Sequence, residues 1–484
     1  MKKYILFLSA ITTVLVFSCR KIETDGEIQV VVVNGGGGST GGQTITLKGR
    51  IDADTILRKG NTYILGERVY MVGNHTMTIE PGTVIKGAVG GADVAALIIT
   101  RGSKLVAPGT ATDPIIFTSA SPNPQSGDWG GIVICGKASI NTTFTGTGGG
   151  VGIYEVEGGI NNSNGDALAG GGGTPDDNDS SGVLQYMRIE WAGYAIQPDK
   201  EINSLTLAAV GRKTVIDHIQ VVYAKDDAYE FFGGTVNAKY LIAYKTQDDD
   251  FDTDNGYSGK VQYGLIMRDS LIADISTSEA FESDNNAAGT TVTPKTSAIF
   301  SNITAIGPRA TLANVGNSLF RAGAQIRRNS GISIFNSIIM GWPQGILIDA
   351  QLGNTALNIE DSTLRLRNVT LAGNAAPFVF TGTAGASITN TTTLNDWATR
   401  PYYNNEILTN ASDAKLIQPF NYTAPDPTPF AGSSGNQKIL TGGAFTDAKF
   451  TNDTFFDKNV TFRGAVAPAG EQASWWKGWT KWNY

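Results

Sequence analysis

The chain has 484 residues, and its composition limits the classes of protein to which it can belong. Glycine accounts for 59 residues and charged side chains for 17%, which is typical of proteins with many tight turns and stacked uncharged side chains. A formal charge of -7 argues against a nucleic-acid partner, and the presence of only two cysteines and two histidines argues against a disulfide framework or a multi-histidine zinc site.

The first residues have the pattern of an export signal. Lys2 and Lys3 form a basic region, residues 4–17 are apolar, and Cys19 follows a small residue at the end of a lipobox. The apolar run is too short to span a membrane, so residues 1–18 are predicted to be a lipoprotein signal peptide and Cys19 the site of lipid attachment. An uncleaved anchor is the alternative.

Residues 19–43 are predicted to be a flexible tether, because residues 35–42 consist of Gly, Ser and Thr. We therefore expect an exported outer-membrane lipoprotein, at the cell surface or on the periplasmic face. Its predicted partners are the lipid bilayer, an extracellular polysaccharide and an outer-membrane transporter.

Short apolar segments closed by Gly, Pro or Asn turns begin the folded part. They are MTIEPGTVIKG at 77–87, LIITRGSKLVAPGTATDPIIFTS at 97–119 and GDWGGIVI at 127–134. Together they resemble the opening coils of a right-handed parallel β-helix of the secreted bacterial, pectin-lyase-like type. The resemblance implies an all-β solenoid, which escapes the usual limit on the size of a single core.

Similar segments recur beyond these coils, with mid-points about 22 to 38 residues apart, as solenoid repeats with loop insertions would be. Residues 44–375 are therefore predicted to form one parallel β-helix. Within it, residues 146–182 are predicted to be a Gly- and Asp-rich loop insertion. Cys135 lies in an apolar run and is predicted to be a small buried residue.

Residues 376–484 are predicted to be a C-terminal extension that ends in an aromatic cap. The last ten residues contain Trp475, Trp476, Trp479 and Trp482. A solenoid has to cover its terminal coil, because an open edge strand invites association. Stacking of sugar rings on these tryptophans is the alternative interpretation.

Three acidic clusters follow successive strands in the middle of the chain. Asp227 and Asp250 are 23 residues apart, which is one coil, so the two side chains are expected on the same flank. Alternation along an extended segment places Asp250, Asp252 and Asp254 outside and Phe251 inside. The predicted ligand-binding or cation-binding residues are Asp227, Glu230, Asp249, Asp250, Asp252, Asp254, Glu279, Glu282 and Asp284.

In a ladder of carboxylates the negative charges repel one another, so a favourable interaction has to offset this repulsion. Two carboxylates about 5 Å apart repel by about 0.8 kcal/mol in water and by about 3 kcal/mol at an effective dielectric constant of 20. The side chains are therefore expected to splay into solvent, to pair with Lys225, Arg188 or Arg321, to bind a cation such as calcium, or to form a catalytic pair. The candidate calcium ligands are Asp250, Asp252 and Asp254, or Asp177, Asp179 and Ser181.

Among β-helix proteins, the acidic ladder resembles the calcium cluster of pectin-acting lyases, and the Asp226-Asp227 pair resembles the paired aspartates of inverting polygalacturonases. The resemblance makes Asp226 and Asp227 candidate catalytic residues, and Asp250, which is predicted one coil further along the same flank, is the third candidate. The chain lacks the His-Gly turn and the Arg-x-Lys strand of those hydrolases. A lyase would instead need Lys225, Arg321 or Arg327 as its base.

Three functions remain open from the sequence. The first is a membrane-anchored protein without catalytic activity, whose β-helix flank binds an extracellular glycan or nutrient with calcium as the only candidate cofactor. The second is a polysaccharide lyase or glycoside hydrolase that uses the acidic flank of residues 226–284. The third is a structural adhesin.

Overall fold

The computed structural model describes residues 31–33, 42–91, 94–197 and 200–484. The predicted signal peptide, Cys19 and most of the predicted tether lie outside these residues. Within the tether range, Val31–Val33 pairs antiparallel with the beginning of Thr44–Ile51. In the described part of the chain, no helix combines the length and the apolar character that crossing a bilayer requires.

The described chain winds into three parallel sheets, to which each coil contributes in turn. Thr76–Ile79 lies in sheet 1, Val84–Gly87 in sheet 2 and Ala96–Ile99 in sheet 3, and Lys104–Pro108 then pairs in parallel with the strand where the coil began. The same order continues along the stack. The fold is therefore a right-handed parallel β-helix, as predicted.

Some strands bend from one sheet into the next, whereas others belong to a single sheet. Those that join sheets 2 and 3 are Thr44–Ile51 and Thr62–Met71, and those that join sheets 1 and 2 are Gly182–Glu190, Val215–Val222, Asn237–Tyr244, Lys260–Met267 and Ile299–Ile306. Sheet 1 also contains Thr55–Leu57, Thr76–Ile79, Lys104–Pro108, Ser333–Phe335 and Leu366–Arg367. Sheet 2 also contains Val84–Gly87, Ile115–Ser119, Ile338–Met340, Thr370–Ala372 and Glu406–Leu408. Sheet 3 also contains Ala96–Ile99, Ile132–Cys135, Leu205–Ala208, Tyr229–Phe232, Phe251–Asp254, Phe281–Ser283, Ala322–Ile326, Gln344–Ala350 and Ala376–Gly382.

The interior of the solenoid is filled by side chains that repeat from coil to coil. In sheet 3, Tyr229, Phe251 and Phe281 occupy the same register position on successive strands and are fully buried. Their ring centroids are 5.4 Å and 5.5 Å apart. Because side chains alternate along a strand, the residues next to these rings face outward, which is where the acidic side chains lie.

The corner between sheets 1 and 2 also repeats. Its residues have a left-handed backbone, with φ of 46° at Tyr186, 53° at His218 and 59° at Tyr240. His218 lies between the two tyrosine rings, at centroid distances of 4.2 Å and 4.3 Å, and contacts Asp217. Asparagines occupy this corner in later coils, where Asn368 donates to Asn336 at 2.9 Å.

The stack of strands continues beyond the predicted boundary at residue 375. Ala376–Gly382 extends sheet 3 and Glu406–Leu408 extends sheet 2. The helix Thr391–Ala398, capped by Asn390, places Leu394 and Trp397 against the last part of the core. The terminal coil is therefore covered by this helix rather than by the aromatic tail.

The aromatic tail lies along the outer side of sheet 2. Trp479 contacts Tyr186 and His218 edge-on, and its carbonyl accepts a hydrogen bond from Arg188 at 3.1 Å. Tyr484 donates to Glu190 at 3.0 Å. The tail thus returns to coils formed almost 300 residues earlier, and it covers a flank of the solenoid rather than its end.

The remaining elements are short and lie outside the three sheets. The antiparallel hairpins are Thr143–Phe144 with Gly150–Val151, Tyr154–Glu155 with Leu168–Ala169, Ala195–Gln197 with Lys200–Glu201, and Leu416–Gln418 with Asp426–Pro429. The other α-helices are Ala356–Glu360 and Gln437–Thr441, and the 3-10 helices are Pro401–Tyr403, Ala411–Ala414, Gly432–Ser434, Ala448–Phe450 and Glu471–Ala473.

Candidate acidic ligand site

Acidic side chains stack on the outer face of sheet 3. Glu230, Asp252 and Glu282 lie opposite one another on three successive parallel strands, and Gln325 follows them on the fourth. Neighbouring strands in a sheet are about 4.8 Å apart, so the carboxylates form a column at that spacing. Asp254 and Asp284 lie two residues after Asp252 and Glu282; Asp254 ends its strand, and Asp284 directly follows the strand Phe281–Ser283.

A second column lies just before these strands. The Asp227 carboxylate accepts a hydrogen bond from the backbone N–H of Asp249 at 2.9 Å, and the Asp249 carboxylate accepts one from Glu279 at 2.6 Å. Asn203 begins this column by accepting from the Asp227 N–H at 3.2 Å. These carboxylates therefore hold consecutive coils together.

The columns bring carboxylates into three groups, in each of which the oxygens lie within 4.8 Å of one another. The groups consist of Asp226, Asp227 and Asp248; of Asp227, Glu230 and Asp252; and of Asp249, Glu279 and Glu282. Oxygen ligands at such spacing are those that calcium and other hard cations take from proteins. We call this surface, together with Asp254 and Asp284, the acidic flank.

Several oxygens of the acidic flank have no hydrogen-bond partner within the described chain. They are one oxygen each of Glu230, Asp248 and Asp252. Glu230 is only 3% exposed, so water cannot readily compensate its charge. A buried oxygen without a donor is costly in free energy, and each of the three residues that carry these oxygens belongs to one of the three groups.

Burial and mutual repulsion make these side chains hard to ionise. Burial raises the pKa of Asp227 to about 6 and that of Glu282 to about 8. Burial, reinforced by neighbouring carboxylates, raises the pKa of Glu230, Asp249 and Asp252 well above the ordinary range. Protons or cations have to neutralise the flank at neutral pH.

Basic side chains lie at one end of the acidic flank. Arg327 contacts Glu282 and pairs with Asp284 at 2.8 Å, and Arg328 pairs with Asp284 at 2.6 Å. These two arginines and Arg321 line a cavity of about 190 Å³ with Gln325, Asp349, Gln351 and Leu352. The outer face of sheet 3 thus changes from acidic to basic along the solenoid.

A family model described as a pectate-lyase-like β-helix domain matches residues 49–413. The chain belongs to this family. No curated protein and no solved structure matches the chain. Membership of the pectate-lyase-like family indicates a role related to carbohydrates, and it confirms the predicted resemblance.

The expectation that Asp250 lies on the outer flank is wrong. The strand begins at Phe251, and the register aligns Asp227 with Asp249 rather than with Asp250. Asp250 is fully buried and pairs with the equally buried Arg268 at 3.3 Å. Burial raises the pKa of Asp250 to about 7, although Arg268 opposes the shift. Asp250 therefore does not share an ion with Asp252 and Asp254, and it cannot reach a substrate on the flank.

Asp177 and Asp179 have a structural role in the insertion. Asp177 accepts a hydrogen bond from the Ser139 N–H at 2.9 Å, and Asp179 accepts one from the Lys137 N–H at 3.0 Å. These carboxylates fasten the end of the insertion to the turn after Ile132–Cys135. Neither carboxylate belongs to a group of three or more neighbouring His, Cys, Asp or Glu ligands found among the described residues.

The predicted basic partners are only partly present. Arg188 lies on sheet 2, where it pairs with Glu190 at 3.0 Å and is far from the acidic flank in the fold. Arg321 approaches Asp349 at 3.8 Å and lies in the basic cavity. The Lys225 side chain packs over Gly127, and no ion pair of Lys225 is found in the described part of the chain.

Glu157 is a residue of the site that was not predicted from the sequence. This residue lies in the insertion, and its carboxylate accepts a hydrogen bond from the Asn203 amide at 3.1 Å. The same amide group lies 3.5 Å from Glu230, so the insertion adds a carboxylate to the beginning of the acidic flank. Burial raises the pKa of Glu157 to about 8, and Asp227 contributes to the shift. Insertions of this composition carry no periodic pattern from which such a contact could be read.

Cys135 is fully buried, as predicted. It lies on the outer face of sheet 3, where the insertion covers it. Burial raises the pKa of its thiol to about 12, so the thiol is a packing group rather than a nucleophile.

Proposed function

We propose that the acidic flank binds divalent cations, calcium first among them, and through them an anionic glycan. The observation that carries this proposal is the set of three carboxylate groups whose oxygens lie within 4.8 Å of one another. Among the described residues, the ion pairs that arginines make with the acidic flank involve Glu282 and Asp284, so most of the carboxylates in the three groups lack an ion-pair partner there. A bound cation removes the repulsion between these carboxylates and leaves coordination positions for a ligand.

The anionic character of the glycan follows from two neighbouring regions of the outer face of sheet 3, the acidic flank and the arginine-lined cavity. A bare carboxylate surface repels a uronic acid, whereas calcium between two sets of carboxylates attracts both. The cavity lined by Arg321, Arg327 and Arg328 offers guanidinium groups, which bind carboxylates in a bidentate manner. A polymer of uronic acids meets both requirements along one face.

Calorimetry on the purified chain tests the proposal. Calcium is expected to bind, and polygalacturonate is expected to bind only when calcium is present. Asp252→Asn removes a charge from the second carboxylate group and should weaken calcium binding about tenfold or more, since one ligand charge is lost. Asp396→Asn, an exposed position on the helix Thr391–Ala398, is the matched control and should change nothing. Calcium binding by Asp252→Asn at the affinity of the unmodified chain would contradict the proposal.

We also propose that the protein works at a membrane surface, held by lipid on Cys19. The support comes from the basic, apolar and lipobox regions of residues 1–19. Cys19→Ser should move the protein from the membrane fraction to the soluble fraction in the cells that produce it. Equal membrane association of both forms would rule this out.

A polysaccharide lyase or glycoside hydrolase is the second candidate. The specific support is the buried pair of Asp227 and Glu230, in which burial raises the pKa of Glu230 well above its ordinary range and the Asp252 and Asp227 carboxyls add to the shift. A protonated and an ionised carboxyl side by side are the groups that acid–base catalysis uses. Incubation of polygalacturonate with the protein and with Asp227→Asn separates the candidates. New reducing ends or unsaturated products from the first alone would establish catalysis.

A further inference from the structure

The insertion between Ile132–Cys135 and Gly182–Glu190 closes the outer face of sheet 3 on one side of the acidic flank. In the early coils, outward-facing residues of this sheet are buried beneath the insertion: Tyr70, Ile98, Val133, Cys135 and Ala208. They form one apolar cluster with Ile140, Val156, Ile160, Ala167 and Ala169 of the insertion. The Tyr70 hydroxyl donates to the Ile160 carbonyl at 2.7 Å, which fixes the insertion to the sheet.

The insertion covers the outer face of sheet 3 as far as the first coil that carries residues of the acidic flank. Tyr154 of the insertion packs on Phe232, with ring centroids 4.7 Å apart. Phe232 lies two residues after Glu230 on the same outward face, so the insertion ends where the acidic flank begins. Glu157 stands at this boundary and shares the Asn203 amide with Glu230.

The insertion also borders one long side of the flank. The Asn141 amide donates to the carbonyls of Asn285 at 2.8 Å and of Pro294 at 3.0 Å. Asn285 directly follows Asp284 of the acidic flank. The insertion is therefore tied to the coil of Phe281–Ser283 as well as to the early coils.

At its other end the outer face continues into the basic cavity. From the strand Tyr229–Phe232 to the strand Gln344–Ala350 there are four coil spacings, about 19 Å in all. The charged part of the outer face is thus of limited length, bounded by apolar packing at the Glu157 end and by the arginine-lined cavity at the other.

We propose that the protein binds the end of a glycan chain and not its interior, because the insertion blocks the Glu157 end of a chain that lies along the outer face of sheet 3. The proposal rests on the proposed function and adds to it which part of the polymer is recognised. A chain enters from the arginine end, and its terminal sugar stops against the boundary at Tyr154 and Glu157.

The number of protein molecules bound to each polymer tests the inference. Polygalacturonate fractions of increasing length are mixed with the full chain in calcium, and the bound protein per chain is measured by analytical ultracentrifugation. End recognition predicts one protein per polymer at every length. A number that grows in proportion to length would overturn the inference and leave the proposed function intact.

A blocked chain end gives a second readout. Oligogalacturonides carrying a bulky fluorophore at the reducing end or at the other end are compared by calorimetry. A fluorophore at one of the two ends should abolish binding, whereas equal affinity for both labelled forms would overturn the inference. Absence of binding to every polymer and oligomer in calcium would instead overturn the proposed function itself, and the inference with it.

A shortened insertion provides the matched variant. Tyr154 pairs with Ala169 and Glu155 with Leu168, so residues 156–167 form the loop of a hairpin and can be replaced by an Asn-Gly turn. This removes Glu157 and much of the boundary. Several molecules of this variant should then bind to each long polymer. If it fails to fold, the stoichiometry of the unmodified chain still decides the question.

Discussion

Two ladders of stacked side chains run along this solenoid, and they differ in whether other parts of the chain offset the cost of repeating the same side chain. At the corner between sheets 1 and 2, Tyr186, His218 and Tyr240 stack at 4.2 Å and 4.3 Å, and the C-terminal tail covers them. On sheet 3, Glu230, Asp252 and Glu282 repeat at the same interval, and no segment of the described chain neutralises all three. Among the residues that the structure describes, the first ladder is fully compensated and the second is not.

The difference follows from what a parallel β-helix does to any repeated side chain. Each coil places the same position about 4.8 Å from the next. Flat rings attract at that distance, and asparagine amides hydrogen-bond from coil to coil, as Asn368 and Asn336 do. Carboxylates repel at the same distance. An acidic ladder therefore opposes stability, which makes a ligand outside the chain the simplest reason for it.

The largest effect is expected on the free energy of unfolding, from a substitution in the tail that covers the ladder of Tyr186, His218 and Tyr240. Trp479 is 1% exposed and contacts both Tyr186 and His218, so Trp479→Ala should lower the free energy of unfolding by about 3 to 5 kcal/mol through lost packing. Calcium affinity should not change. Urea unfolding at fixed calcium, with calorimetry on the folded variant, measures both quantities.

The half-buried Trp482 serves as the graded control for Trp479, and Trp482→Ala should cost less. A loss of calcium affinity in Trp479→Ala would show that the two ladders depend on each other, and it would break the comparison.

The fold could be predicted because its signal is repeated many times. Each coil adds a short apolar segment and a turn, so an error in one coil does not change the interpretation of the stack. The location of the acidic flank followed from the same regularity, since the clusters come after successive strands. What the sequence could not provide was the register within a coil. Asp250 is one residue outside the strand Phe251–Asp254, and its partner Arg268 comes from the next coil.

Contacts between distant parts of the chain could not be predicted from the sequence either. Glu157 reaches the flank from an insertion without periodicity, and Tyr484 reaches Glu190 from the opposite end of the chain. The tail was predicted to cover the end of the solenoid, because its aromatic composition indicates burial but not the surface that it buries. Such contacts depend on how loops fold back, and no local pattern encodes that.

The acidic ladder should reveal itself in the pH dependence of stability. The folded pKa values of Asp227, Glu157 and Glu282, at about 6, 8 and 8, lie above the ordinary values of 3.8 and 4.5. A raised folded pKa means that the folded chain binds protons more tightly, so stability declines as pH rises through these values. In EDTA, the free energy of unfolding should therefore fall between about pH 5 and about pH 9.

The opposite contribution from carboxylates paired with basic residues does not interfere in this range. Asp447 and Asp453 have lowered pKa values, and the hydrogen bonds from Arg365 and Lys260 are the main cause. Their stabilisation is complete above the ordinary pKa of 3.8, so it is constant across the measured range.

Calcium should reverse the decline, because the ion replaces the protons that the flank loses. Urea unfolding at several pH values, in EDTA and in excess calcium, measures the effect, and Asp252→Asn should show a flatter profile in EDTA. Stability that does not vary with pH in EDTA would mean that the carboxylates are already compensated within the chain. The two ladders would then be equivalent, and the argument for a bound cation would lose its physical basis.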